Sequence, residues 1–160
     1  YAPLFAHVEG WQWRPDMIWF DNLRSVRTCS YYVQQLYAHN KGTNVIPLTM
    51  GGQPVSGQEG QDGLFASAVW DNNTKEYIVK VINTSDKAQS ISLNFAGLKK
   101  KNKLTHGKCI VFHSDNLEAD NTVDHPNVVL PKESAVNIEG NVFNVELGAK
   151  TFAVYKFTKE

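Results

Sequence analysis

Gln89-Ser90-Ile91-Ser92-Leu93-Asn94-Phe95 decides the fold class. Ile91, Leu93 and Phe95 fall on one face of an extended chain, and Ser90, Ser92 and Asn94 on the other. A period of two over this length predicts a strand with one buried and one wet face. The same signal recurs on either side. Residues 64–70 and 76–83 flank the turn-rich Asp71-Asn72-Asn73, which predicts a hairpin. Downstream, strands are expected at 108–113, 127–130, 134–138, 141–147 and 151–157, with Gly148 at the last turn. Upstream, 44–50 reads as extended, with Pro47 marking an edge or an irregular position. Residues 51–63, 97–107 and 114–127 read as connections. About eight short strands between regular turn signals predict a mainly β domain, a jelly-roll-like β-sandwich over residues 43–160.

Residues 1–42 differ in kind. Three of the four tryptophans, Trp11, Trp13 and Trp19, lie here. Asp16-Met17-Ile18-Trp19-Phe20 suits a buried strand. Thr28 then offers an N-cap, and Cys29, Tyr32, Val33, Leu36 and Tyr37 recur at helical spacing. Gly42 is the expected stop, with His39 and Lys41 beside the negative end of the helix dipole. Such a strand-loop-strand-helix unit closes no core alone and is expected to dock on the sandwich or on a larger body. Tyr1-Ala2-Pro3-Leu4-Phe5 begins as apolar extended chain, so residue 1 reads as a cut inside a longer polypeptide.

Composition narrows the function classes. The 160 residues carry 16 basic and 16 acidic side chains, and this balance argues against nucleic acid as the main partner. No apolar run approaches the ~18 residues of a membrane span. Cys29 and Cys109 are too few for a disulfide framework and read as free buried thiols. The five histidines show no metal-ligand spacing, and neither a metal nor a cofactor is expected. Lys99, Lys100, Lys101 and Lys103 read as a solvated connection. Asn72-Asn73-Thr74 and Asn83-Thr84-Ser85 match the glycosylation pattern, which is a weak signal.

One cluster points to chemistry. Trp11-Gln12-Trp13-Arg14-Pro15-Asp16 follows an apolar strand. Tryptophan faces stack on the C–H faces of sugar rings, and a neighbouring carboxylate accepts from two hydroxyls. The plainer reading makes the tryptophans interface core and Asp16 a turn residue after Pro15. No Gly-x-Ser-x-Gly elbow or phosphate loop is present.

Three motifs in order carry a resemblance: Tyr1-Ala-Pro-Leu-Phe5, then Trp13-Arg-Pro-Asp-Met-Ile-Trp-Phe-Asp-Asn22, then Tyr31-Tyr-Val-Gln-Gln-Leu36. They resemble the end of the catalytic domain in glycoside hydrolase family 51, the α-L-arabinofuranosidases, closest to the branch shared by Bacteroides-type bacteria and plants. Residues 107–114, 121–131 and 151–157 are similar to that family's C-terminal sandwich. The resemblance implies that residues 1–42 are the remnant of a (β/α)8 barrel, with 1–6 as its eighth strand and the helix from about Thr28 to Asn40 as its last. The loop 7–16 then leaves the strand at the active-site end. Trp13 and Asp16 become the residues expected to bind substrate.

The family retains configuration with two glutamates. The resemblance places both upstream of Tyr1 and gives Glu9 no catalytic part, so the chain by itself is expected to be inactive. Its implied partners are an arabinose-containing polysaccharide or oligosaccharide and the upstream barrel of the same protein. Its implied location is periplasmic or secreted, and oligomeric state is left open. Two other readings compete: a stand-alone carbohydrate-binding module presenting Trp11 and Trp13, and a structural sandwich with no ligand.

Overall fold

The computed structural model describes residues 3–10, 16–98, 104–138 and 140–159. It is mainly β and divides into two compact units. The first holds Tyr1–Asn40 and Phe112–Pro131, and the second holds Lys41–Val111 and Lys132–Glu160. The sequence alone placed a single boundary at 42. The chain instead leaves the first unit near 40 and returns to it for 112–131.

In the first unit, β1 (Phe5–His7), β2 (Ile18–Phe20) and β3 (Ser25–Arg27) form a sheet in that order. β1 runs parallel to β2, with Phe5 opposite Ile18, and β2 runs antiparallel to β3, with Ile18 opposite Arg27. Asp21 turns the chain between β2 and β3. Its Oδ1 accepts the Leu23 and Arg24 N–H groups at 2.8 and 2.6 Å, and its Oδ2 receives the Arg24 guanidinium at 2.8 Å. The Leu23 N–H and then the guanidinium hold the Asp21 carboxyl below the usual carboxylate range.

α1 (Cys29–His39) follows directly. Thr28 caps it, accepting the Tyr31 N–H while its hydroxyl reaches back to the Asp16 and Met17 carbonyls at 2.7 and 3.0 Å. One buried threonine therefore ties the start of the helix to the start of β2. The helix ends at Asn40, before the expected glycine stop. The Asn40 side-chain amide donates to the Leu36 carbonyl at 2.8 Å and satisfies an orphan acceptor of the last turn.

Residues 114–127, read as a loop, are pinned to this unit. Asn121 is fully buried and donates to the Arg27 carbonyl, and Cys29 Sγ lies 3.8 Å from the Ala119 carbonyl. Among the described residues its buried apolar side chains are Met17, Val26, Leu36 and Val129. The strand expected at 127–130 does not form. Val129 is buried there by itself, and its backbone partners are the two ends of the Asn121 amide.

The second unit holds β4 (Asn44–Ile46), β5 (Thr49–Met50), β6 (Gln53–Pro54), β7 (Leu64–Asp71), β8 (Glu76–Asn83), β9 (Gln89–Asn94), β10 (Leu104–Phe112), β11 (Lys132–Val136), β12 (Val142–Leu147) and β13 (Thr151–Lys159). Pro47 splits the expected 44–50 strand into β4 and β5, since it supplies no N–H to a ladder. β10 begins four residues earlier than its 108–113 reading, inside the stretch taken for a polar connection. Six strands pair in the order β11-β10-β13-β8-β7-β4, and β12 pairs with β9 in a second layer.

The two layers share one core. Phe143 of β12 meets Tyr155 and Phe157 of β13, each at a ring separation of 5.1 Å, and Phe95 meets Phe157 at 5.2 Å. Inward positions on β9 are Ile91 and Leu93, as the alternation predicts. Sheet-on-sheet packing with alternating inward residues is the sandwich that the sequence pattern called for. Gly107 is required by close approach: a Cβ there would stand 2.7 Å from Val136 Cγ2 and 2.9 Å from Phe157 Cδ1.

Candidate functional site

The expected sugar-binding cluster is only partly visible. Trp11 and Trp13 lie outside the described residues, as do Lys99–Lys101 and Lys103. Asp16 is described. It stands two residues before β2, where the Thr28 hydroxyl holds its carbonyl. It is 0% exposed, and neither carboxylate oxygen has a hydrogen-bond partner among the described residues. An ionised carboxylate buried without a donor costs several kcal/mol even after relaxation. Asp16 is thus a buried carboxylate of the first unit that the described residues leave without a donor.

Beside it, β1 and β2 carry a half-exposed aromatic group that the sequence reading did not single out. Phe5 stacks on Phe20 with centroids 4.2 Å apart and planes 9° from parallel. His7 meets the edge of Phe20 at 5.2 Å, and its Nδ1 accepts the Glu9 N–H. Parallel pairing with Phe5 opposite Ile18 and His7 opposite Phe20 creates the cluster, and sequence spacing alone does not reveal that register. β1 is an edge of its sheet, and Leu4 and Phe5 beside that edge are exposed.

Among the described residues no group of His, Cys, Asp and Glu side chains is arranged to hold a metal ion. Among the described residues no helix is long and apolar enough to cross a membrane. Cys29 is half-buried and Cys109 buried, both as free thiols, and burial pushes both upward from the usual thiol range. Such thiols are poor nucleophiles. Of the two glycosylation patterns, the one at Asn83 is committed: its amide nitrogen is buried and donates to the Lys87, Leu147 and Gly148 carbonyls.

In the second unit two of the concavities along β9 also reach Leu48 and Thr49. One, of about 700 Å³, is lined by Trp70, Tyr77 and Phe95 at one end. The other, of about 400 Å³, continues toward Gln89. The sequence pattern gave no sign of them, because an alternating strand looks the same whether or not both its edges are paired.

The family model described as the α-L-arabinofuranosidase C-terminal domain matches residues 1–150. α-L-arabinofuranosidase 1 of Arabidopsis thaliana is 30% identical over 163 residues, covering 100% of this chain and 23% of that protein. An extracellular exo-α-L-arabinofuranosidase of Streptomyces chartreusis is 39% identical over 98 residues, covering 61% of this chain and 12% of that protein. Among solved structures, arabinose-bound MgGH51 α-L-arabinofuranosidase superposes with a TM-score of 0.86 at 26% identity, covering 100% of this chain and 24% of that one. The chain thus spans about a quarter of the length of these full-chain matches.

Proposed function

Because the chain belongs to the α-L-arabinofuranosidase C-terminal domain family, we propose that it is the final portion of a retaining glycoside hydrolase that releases terminal α-L-arabinofuranosyl residues from arabinose-containing polysaccharides or oligosaccharides. The observation that carries this is coverage. The family model takes in residues 1–150, and the superposition on a family 51 arabinofuranosidase runs over the whole chain, first unit included. A binding module that shared only the sandwich would match the second unit alone.

In this reading residues 1–42 close a (β/α)8 barrel contributed by the preceding polypeptide. β1 is its eighth strand and α1 its last helix. Support comes from the edge of β1, unpaired among the described residues, and from Leu4 and Phe5, exposed apolar side chains at that edge. The loop 7–16 leaves β1 at its C-terminal end, where barrel active sites stand. Trp13 packs on the arabinose ring. Asp16 supplies a carboxylate that no described residue satisfies.

Full burial of Asp16 favours a second role for that residue alone, as a positioning group that holds the loop rather than a contact to the sugar. The catalytic glutamates belong to the preceding polypeptide, so the 160 residues alone are inactive. The natural setting is periplasmic or secreted, in keeping with the extracellular Streptomyces relative.

The test is hydrolysis of an aryl α-L-arabinofuranoside. A polypeptide that includes the preceding encoded residues should turn over, and the 160-residue chain should not. Turnover by neither, with retention of the 160-residue chain on arabinan in an affinity gel, would replace the hydrolase reading with a binding module.

A further inference from the structure

The connection from β1 to β2 is fastened at its two ends by different means. At its start the Val8 N–H donates to the Phe20 carbonyl at 3.0 Å, and the Glu9 N–H donates to His7 Nδ1 at 3.2 Å. Backbone pairing with the end of β2 holds that end. At the other end Thr28 takes the last two carbonyls before β2. Its hydroxyl donates to the Asp16 carbonyl at 2.7 Å and lies 3.0 Å from the Met17 carbonyl, which also accepts the Thr28 N–H at 3.1 Å. Thr28, Met17 and Asp16 are all buried, Asp16 completely.

Helix capping does not account for these contacts. A cap has to accept an N–H of the first turn, and Thr28 accepts that of Tyr31 at 3.4 Å, the longest of its side-chain bonds. Asp or Gly also serves at an N-cap. Donating to upstream carbonyls requires a side-chain hydrogen, which an ionised Asp and Gly lack. Thr28 is itself held from both sides. Arg27 pairs with Ile18 and its carbonyl accepts the Asn121 amide at 3.1 Å, while Cys29 Sγ lies 3.8 Å from the Ala119 carbonyl. Two held carbonyls orient two successive planar peptides, and with them the direction in which the Asp16 side chain leaves the backbone.

We propose that Thr28 is a positioning residue for the hydrolysis, its hydroxyl fixing the place of the Asp16 carboxyl in the substrate site. The proposal rests on the reading of Asp16 as a member of that site in a longer hydrolase. Thr28 touches no substrate in this role. It acts by holding another group where the chemistry needs it, and a misplacement of about 1 Å costs up to about a hundredfold in rate.

Kinetics of the longer polypeptide on an aryl α-L-arabinofuranoside test this, at a temperature where melting curves show every variant folded. Thr28→Val removes the hydroxyl and keeps the volume. Thr28→Gly removes it and keeps a competent cap, so it carries the test if the valine variant does not fold. Each should lose about tenfold or more in kcat/KM, and Thr28→Ser, which keeps the hydroxyl, should stay within about threefold of wild type. Beside Asp16→Asn the loss from either hydroxyl-free variant should shrink to under about threefold, because residues that act as a unit are not additive. Gly107→Ala, a destabilising change in the second unit, should leave kcat/KM unaltered.

Lowered melting temperatures with unchanged kcat/KM in the hydroxyl-free variants would reduce Thr28 to a cap and overturn the proposal, leaving the hydrolase reading intact. A loss that persists in full beside Asp16→Asn, or an equal loss in Gly107→Ala, would overturn it in the same way. A wild-type longer polypeptide without turnover would overturn the hydrolase reading itself, and this proposal with it.

Discussion

Asn121 pairs with Val129 through both ends of its side-chain amide. Its Oδ1 accepts the Val129 N–H at 2.8 Å, and its Nδ2 donates to the Val129 carbonyl at 2.9 Å and to the Arg27 carbonyl at 3.1 Å. The side chain imitates a neighbouring strand, closing 121–129 on itself and fastening it to β3. Asn121→Ala leaves these backbone groups buried without partners and should cost about 2–4 kcal/mol. Asn121→Asp keeps the acceptor and loses the donor, and should cost nearly as much. Urea denaturation of the three proteins measures this, and a loss under about 0.5 kcal/mol for both variants, the range of ordinary surface substitutions, would show that the amide is not the fastening.

Gly107 sits where a methyl group has no room. Gly107→Ala should destabilise by about 1–3 kcal/mol, the usual range for overpacking. The nearest atom belongs to Val136 and the next to Phe157. Val136→Ala should therefore relieve part of the clash, and a double-mutant cycle should return a favourable coupling between positions 107 and 136. Strict additivity would place the strain elsewhere.

Lys80 is buried on β8, and burial holds its amine below the usual lysine range. Between the depressed folded value and the unfolded value near ~10.4, the unfolded chain binds the proton more strongly. The lysine's contribution to stability therefore rises with pH through that window. Tyr155, Cys109 and Cys29, all pushed upward by burial, act in the opposite direction. Comparing the wild type with Lys80→Met cancels them. The stability of the wild type relative to the variant should increase as the pH rises from the depressed folded value toward the unfolded value near ~10.4. A flat difference would mean that the amine titrates alike in both states.

Trp13→Ala and Asp16→Asn, made in the longer polypeptide, separate stacking from positioning. Trp13→Ala should raise KM for an aryl α-L-arabinofuranoside more than it lowers kcat, because a stacking surface binds substrate and transition state alike. Asp16→Asn should lower kcat/KM by about tenfold or more, the cost of about 1.4 kcal/mol of transition-state stabilisation. A loss in kcat with KM unchanged assigns Asp16 a positioning role, and a loss shared by KM assigns it a contact with the sugar. Unchanged kinetics in both variants would remove residues 13 and 16 from the substrate site.

The sandwich was legible wherever side chains alternate and turns announce themselves. The residues of β7, β8, β9, β12 and β13 were all readable from period two and their flanking turn residues. α1 was readable from Thr28 and the apolar spacing after it. Three things were hidden. β3 spans three residues, too few for a period, and exists because Asp21 sets the turn that brings it to β2. Val128-Val129-Leu130 has strand composition, yet the backbone partner of Val129 is the Asn121 side chain, eight residues back, and no backbone period reports a side chain that pairs like a strand. The Asp16 carboxylate was nominated by its neighbours in sequence. Its burial without a partner depends on Thr28 folding the chain back over twelve residues.

The return of 112–131 to the first unit has a practical consequence for dissection. A polypeptide cut at residue 43 looks like a clean sandwich by sequence. It would carry Asn121 and Ala119 away from Arg27 and Cys29, the groups they bond. The second unit is in effect a long excursion, opened at 41, interrupted at 112 and resumed at 132. Chain connectivity thus makes the last element of one body a hostage in the middle of the other, and neither can be removed by a single scission without leaving part of itself behind.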